Sequence, residues 1–260
     1  VPVSGDRLSR EDIEAEIARR ATATQPAGVG VTIVPHNSMR RRIADHMAQS
    51  LRTAPHVTAL FEADFSTIIA HRTAHKASFA DQGANLTFTA YFIFASVAAM
   101  KAVPAVNARW YDDRIEIVDD VNVGIGTALG DKGLIVPIIH RAQTLSLVEI
   151  AQRLTEITEK ARSGGLSPAD VRNGTFSISN HGVSGSLLAA PIIINQPQSA
   201  ILGVGKLQKR AVVREHSGHD NMEVRPMAYV TLTIDHRVLD AHQTNAWLTR
   251  FVETIENWPR

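Results

Sequence analysis

The alternation of apolar and polar residues is clearest near the end of the chain. In residues 227–234, Val230, Leu232 and Ile234 alternate with Tyr229 and two threonines. A period of two is typical of a strand with one face in the core. We therefore predict a half-buried β-strand at 227–234.

A change of period follows that strand. Trp247, Phe251 and Ile255 recur at every fourth residue, which predicts an amphipathic helix packed on the core. Residues 235–240 then form a corner between a strand and a helix. At such a corner, rigid elements can hold a side chain and still leave it facing a cleft.

The same two periods predict the other elements. One helix, marked by Ile43, Met47 and Leu51, is expected to end by residue 54, and further helices are expected at 68–79, 88–100 and 146–161. Strands are expected at 57–65, 114–118, 121–128, 133–139, 174–179 and 200–204. Ser146 and Glu149 predict a capping box, Gly164 a helix end, and residues 130–132 and 167–170 a turn and a short helical turn. Because helices and strands do not alternate strictly, the pattern favours an α+β sandwich with a mixed sheet over a doubly wound fold.

The first 33 residues differ in composition from the rest. Ile13 and Ile17 lie among charged residues and indicate a short helix, whereas residues 21–33 are rich in small and polar residues with proline and glycine. That composition is typical of a flexible linker. The main domain is therefore expected at 34–260.

Composition limits the classes of function that the chain can have. A chain of 260 residues with 44% hydrophobic content can bury a large core. It has no apolar run of the roughly 20 residues that span a bilayer and no secretory signal at its start, so we expect a cytosolic or organelle-matrix protein. Lys and Arg number 27 against 26 Asp and Glu, which gives no support to nucleic-acid binding. The absence of cysteine excludes a thiolate nucleophile, so thiol chemistry would require the substrate to bring the sulfur.

The corner at 235–240 is the first candidate site. His236 lies there with Asp235, Arg237 and Asp240, and charges between two apolar elements need partners or a function. We interpret His236 as a general base, because imidazole takes up and returns protons near neutral pH. The alternative is a structural salt bridge between Asp240 and an arginine, and Asp240 fits that interpretation better than His236 does.

Residues 174–182 are the second candidate. Small hydroxyl residues, including Ser179, precede Asn180 and His181 at a strand end, where a hydroxyl could stabilise an oxyanion; an ordinary turn is the alternative. Residues 124–130 lack the spacing of a dinucleotide loop. His216 and His219 could bind a metal, but a solvated loop is the favoured interpretation.

Taken together, these segments resemble the catalytic domain of the dihydrolipoyl acyltransferases, the core components of 2-oxo acid dehydrogenase complexes. The resemblance spans nearly the whole chain. It is carried by residues 35–44, 54–58, 133–137, 175–180, 191–193 and 197–203, and by Asp235-His236-Arg237-Val238-Leu239-Asp240. Residues 1–20 resemble the end of the peripheral-subunit-binding domain that precedes this core in the family.

The resemblance assigns roles to individual residues. His236 would take the proton from a thiol of coenzyme A or dihydrolipoamide, and Ser179 would donate a hydrogen bond to the tetrahedral oxyanion. Asp240 would pair with an arginine, with Arg40 as the suggested partner. Asn180 and Arg237 would support the site. The fold implied is a chloramphenicol acetyltransferase-like two-layer sandwich, in the bacterial cytoplasm or the mitochondrial matrix.

Partners also follow from the resemblance. It implies a homotrimer, alone or within a cubic core, with His236 and Ser179 meeting between subunits. The lipoyl group would be carried on a domain absent from this chain, no metal would be needed, and the complex would contain a 2-oxo acid dehydrogenase and dihydrolipoamide dehydrogenase. Transfer to a hydroxyl or amine, and an inactive assembly core, are the alternatives.

Two departures from the family pattern stand out. Ala241 replaces the usual glycine, and it would be strained if the backbone there required a positive φ. The chain also ends without the apolar tail that joins trimers in the family, which favours a trimer over a large cage. The segments similar to succinyl-, acetyl- and branched-chain-transferring members conflict, so the acyl group stays open.

Overall fold

The computed structural model describes residues 13–14, 16–17, 30–129 and 133–259. By its internal contacts the chain divides into two compact units, Val1–Ile43 and Ala44–Arg260. Most of the predicted binding-domain remnant at 1–20 and linker at 21–33, and the turn predicted at 130–132, lie outside the described residues. Ile13 and Ile17 are helical.

Five α-helices form within the described residues 30–259. They are α1 (Ser38–Thr53), α2 (Ser66–Ala80), α3 (Phe88–Ala102), α4 (Leu147–Ser163) and α5 (Ala241–Glu256). All five were predicted from the sequence. Helix α4 begins with the predicted capping box and ends at Gly164, whose φ is 76°. No helix of the described residues is long and apolar enough to cross a bilayer.

Eleven strands form three sheets within the same residues. They are β1 (His56–Asp64), β2 (Ala108–Trp110), β3 (Ile115–Ile117), β4 (Val123–Ile125), β5 (Thr127–Ala128), β6 (Leu134–Ile135), β7 (Ile138–Ile139), β8 (Phe176–Asn180), β9 (Ala200–Val204), β10 (Gln208–His216) and β11 (His219–Asp235). The main sheet has the order β1-β11-β9-β8-β4-β7, and β10 pairs with β11. Strand β8 is parallel to both β4 and β9, whereas the other pairs of this sheet are antiparallel. The predicted mixed sheet is confirmed.

The core lies between the main sheet and helices α3, α4 and α5. Val230, Leu232 and Ile234 of β11 are fully buried in it, together with Trp247 and Phe251 of α5. The other face of β11 is covered by residues 189–192, because Thr231 donates to the Ala189 carbonyl and Thr233 accepts from the Ile192 amide. Strand β11 is therefore fixed from both faces where it approaches residue 235.

Several strand boundaries differ from the prediction. Strand β11 is 17 residues long and pairs with β10 over its first half, where the sequence had indicated a polar loop. The long strands predicted at 121–128 and 133–139 are each broken into two short ones, and the short β2 was missed. Strands β2 and β4–β7 are only two or three residues long, which is too short for a period of two to define their ends.

Candidate active site

His236 occupies the corner between β11 and α5. Its backbone amide donates to the Pro55 carbonyl at 2.9 Å, and the amide of Asp235 donates to the Ser199 carbonyl at 2.8 Å. The backbone on both sides of the corner is thus hydrogen-bonded to neighbouring segments. His236 itself is exposed, so its side chain is open to solvent while its backbone is held in place.

An ion pair reinforces this corner. Asp235 is 1% exposed; its Oδ2 lies 2.6 Å from Nη2 of Arg237, and its Oδ1 accepts from the Arg237 backbone amide at 3.0 Å. The hydrogen bond to Asp235 raises the pKa of Arg237. The guanidinium also lies 5.3 Å from the ring centre of Trp110, a cation–π distance. Arg237 therefore supports the corner, while its neighbour His236 is left free.

Asp240 begins the helix that follows. Its Oδ1 accepts from the Gln243 amide at 2.9 Å, and the Gln243 side chain accepts from the Asp240 amide at 3.3 Å. This reciprocal capping box was not recognised from the sequence. Arg40 is exposed and belongs to the first compact unit, so its pairing with Asp240 stays a prediction.

The condition for strain at Ala241, a positive φ, is not met. Ala241 is the first residue of α5 and is not among the residues with a positive φ. An alanine is well suited to the first turn of a helix, so Ala241 is not strained at this corner.

Ser179 and Asn180 end strand β8. Ser179 is half-buried, and its Oγ lies 2.9 Å from Nε2 of His181. The side-chain oxygen of Asn180 accepts from the Gly182 amide at 3.1 Å, which supports the turn after the strand. The hydroxyl predicted as an oxyanion donor thus has an imidazole as its neighbour.

The strand register places His236 and Ser179 far apart within one chain. Ser179 pairs with Gly203 of β9, and Gly203 pairs with Thr231 of β11. Asp235 lies four residues beyond Thr231, or about 13 Å along the strand, and β8 lies two strand spacings, or about 10 Å, across the sheet. The structure therefore does not bring these two predicted site residues together in one chain.

Two cavities lie away from these residues. One of about 490 Å³ is lined by His71, Phe94 and Trp258 among others, and one of about 380 Å³ by His140, Arg141 and Lys160 among others. Neither has His236 or Ser179 in its lining. The corner that carries His236 therefore remains the candidate site.

Two other sequence candidates are placed by the structure. Gly124 lies within strand β4, as expected from the rejection of a nucleotide loop. His216 and His219 face each other across the β10–β11 turn, and Nε2 of His216 lies 2.6 Å from Oε1 of Glu223. Among the described residues, no group of three or more His, Asp or Glu is arranged to hold a metal ion.

Sequence reasoning missed Trp110 and the contact of His181 with Ser179. Trp110 supports Arg237 from the unpredicted strand β2, and no sequence signal connects residues 110 and 237. His181 follows Ser179 by two residues, a spacing that places alternate side chains on one face of an extended segment. That spacing could have identified His181 as a neighbour of Ser179.

Comparison with known proteins identifies the family. Residues 29–260 match the model of the 2-oxoacid dehydrogenases acyltransferase family (catalytic domain). The chain is 36% identical over 260 residues to the dihydrolipoyllysine-residue succinyltransferase component of the 2-oxoglutarate dehydrogenase complex of Rickettsia felis, with 96% of this chain and 63% of that protein covered. It is 37% identical over 221 residues to the acetyltransferase component of the pyruvate dehydrogenase complex of Mycobacterium bovis, with 84% and 40% covered. The chain thus spans less than two thirds of the length of these relatives.

Solved structures show the same fold. The probable dihydrolipoamide acetyltransferase of Listeria monocytogenes superposes with a TM-score of 0.83 at 36% identity, over 88% of this chain and 96% of that one. A chloramphenicol acetyltransferase superposes with a TM-score of 0.52 at 15% identity, over 88% and 99% of the two chains. The second likeness concerns the fold alone, and it confirms the predicted two-layer α+β sandwich.

Proposed function

Because the chain belongs to the 2-oxoacid dehydrogenases acyltransferase family, as its catalytic domain, we propose that it transfers an acyl group between a dihydrolipoyl group and coenzyme A. The observation that carries this proposal is the position of His236. The imidazole is exposed at a corner whose backbone is fixed by the Pro55 and Ser199 carbonyls. A base held in this way can reach a thiol delivered from outside the chain.

Each step of the transfer has a residue to perform it. His236 removes the proton from the incoming thiol, and the thiolate sulfur attacks the carbonyl carbon of the thioester. The carbonyl oxygen becomes an oxyanion, to which the Ser179 hydroxyl donates a hydrogen bond. When the intermediate collapses, the bond to the first sulfur breaks, and the leaving thiolate takes the proton back from His236. No acyl-enzyme forms, which agrees with the lack of cysteine.

We propose further that each active site lies between two copies of the chain. The register keeps His236 and Ser179 of one chain roughly 16 Å apart at the backbone, whereas base and oxyanion donor must act on one thioester. A head-to-tail arrangement that closes into a trimer would bring His236 of one copy to Ser179 of the next. Asn180 and Arg237 would then support the two halves of each site.

The remaining partners are inferred from the family. The lipoyl group would arrive on a separate domain, and the trimer, alone or in a cubic core, would work with a 2-oxo acid dehydrogenase and dihydrolipoamide dehydrogenase. The relatives compared above carry succinyl and acetyl groups by name. The acyl group transferred by this chain therefore has to be found by assay.

The test is a panel of acetyl-, succinyl- and isobutyryl-coenzyme A with dihydrolipoamide as acceptor. We expect turnover with at least one donor, and loss of at least about a hundredfold in kcat for His236→Ala, the lower end of the range for a general base. His219→Ala, at the exposed β10–β11 turn, is the matched control. Wild-type turnover by His236→Ala would refute the mechanism, and transfer only to small alcohols or amines would refute the acceptor.

A further inference from the structure

The hydroxyl of Ser179 already has a hydrogen-bonding neighbour. Its Oγ lies 2.9 Å from Nε2 of His181, a distance well within hydrogen-bond range. Both side chains are half-buried at the end of β8. Any role of Ser179 in catalysis therefore depends on how it shares a proton with His181.

The backbone of His181 is held in place. Its amide donates to the Val204 carbonyl at 3.0 Å, and its own carbonyl accepts from the amides of Ser184 and Ser186 at 3.1 and 3.3 Å. Gly182 lets this turn lie directly against Gly205, because a Cβ at residue 182 would clash with the Gly205 carbonyl oxygen. The imidazole thus projects from an anchored turn, and its contact with Ser179 is built into the fold.

The direction of this hydrogen bond decides what Ser179 can do. A serine hydroxyl has one proton to donate. If Nε2 of His181 carries no proton, the hydroxyl donates to it and has no proton left for an oxyanion. If Nε2 carries a proton, His181 donates to Oγ, and the serine proton can point at the oxyanion. Accepting a hydrogen bond also polarises the hydroxyl and makes it a better donor.

We propose that His181, with its proton on Nε2, orients the Ser179 hydroxyl toward the oxyanion of the tetrahedral intermediate. His181 is in this view a positioning residue, since it acts through Ser179 and does not touch the thioester. The inference rests on the proposed function. It adds a second histidine to the site, on the half that carries the oxyanion donor.

The test combines three variants in the acyl-transfer assay. His181→Leu removes the donor and should lower kcat about tenfold, the size expected for one hydrogen bond, with KM for coenzyme A unchanged. His181→Gln keeps an N–H donor and should recover most of that loss. In the Ser179→Ala background, His181→Leu should have no further effect, because there is no hydroxyl left to orient.

The outcomes separate this inference from the proposed function. A tenfold loss from His181→Leu that persists in Ser179→Ala would show a structural role and overturn the inference. So would a wild-type kcat for His181→Leu when Ser179→Ala is impaired, and neither result affects the role of His236. Full activity of His236→Ala would instead refute the proposed function. If His181→Leu does not fold, the comparison of His181→Gln with His181→Met in both backgrounds gives the same decision.

Discussion

At the scale of single residues, the corner shows how one local motif serves two purposes. Asp235 binds Arg237 and thereby fixes the loop, while His236 between them stays exposed. Charged residues at this position are therefore explained without giving each of them a catalytic role. Buried carboxylates need partners, and Arg237 supplies one.

Asp240 allows a test of capping against ion pairing. Asparagine can cap a helix as well as aspartate, so Asp240→Asn should keep the free energy of unfolding near that of the wild type. Asp240→Ala should lose about 1 kcal/mol, the usual value of a cap. Urea denaturation of both variants is the measurement.

The opposite result would favour the predicted ion pair between Asp240 and Arg40. If Asp240→Asn is as unstable as Asp240→Ala, the charge matters more than the cap, and Arg40→Ala should then be equally destabilising. Ser146→Ala is the matched control, because Ser146 caps α4 in the same way with its side chain.

The sequence was sufficient for part of the site and not for the rest. His236 was proposed because it stands at a strand end followed by a change of period, whereas Ser179 was singled out among the hydroxyl residues of 174–182 by the family resemblance. The contact between Trp110 and Arg237 joins residues 127 positions apart, and no local pattern reports such a contact. The contact of His181 with Ser179 could have been predicted, since the two residues are two positions apart. Only the Oγ–Nε2 distance in the structure shows that the two side chains meet.

At the scale of elements, helices were predicted better than strands. The apolar residues of α4 and α5 recur with a clear helical period, and their caps are local sequence motifs. Strand β10 instead alternates charged residues such as Arg210 and Arg214 with valine and alanine in an exposed hairpin. The Ser217-Gly218 pair was the local sequence signal for this hairpin. Both residues have a positive φ in the structure, which is typical of a two-residue hairpin loop.

The turn after β8 gives a prediction at this scale. Gly182→Ala places a methyl group against the Gly205 carbonyl, and the carbonyl oxygen belongs to a backbone that cannot move freely. We expect a loss of about 1–3 kcal/mol in the free energy of unfolding, as for other overpacked sites. We also expect a lower kcat, because His181 and Ser179 move with the turn.

A second glycine is the control for this prediction. A Cβ at the exposed Gly165 would meet the Ser163 hydroxyl at 3.5 Å, an ordinary contact, and its φ is not positive. Gly165→Ala should therefore leave stability and kcat close to the wild type. Equal effects of the two substitutions in urea denaturation would mean that close packing at Gly182 is unimportant.

At the scale of the whole molecule, the sheet itself argues for an assembly. Strand β8 runs antiparallel to β11, so the ends that carry Ser179 and His236 point in opposite directions. No side-chain rotation within one chain can bring them to the same carbonyl carbon. If both residues act on one thioester, the second has to come from another copy.

Mixing two strongly impaired variants tests this conclusion. His236→Ala keeps Ser179, and Ser179→Ala keeps His236, so a site between one chain of each kind can be complete. With equal amounts and random trimer assembly, about a quarter of the sites should contain both groups, because each site draws one residue from each of two chains. Co-expressed chains should thus recover about a quarter of the wild-type turnover, whereas the variants mixed after separate assembly should stay at the low turnover of the separate variants. No recovery on co-expression, with mixed trimers verified by two affinity tags, would mean that His236 and Ser179 do not act together between copies.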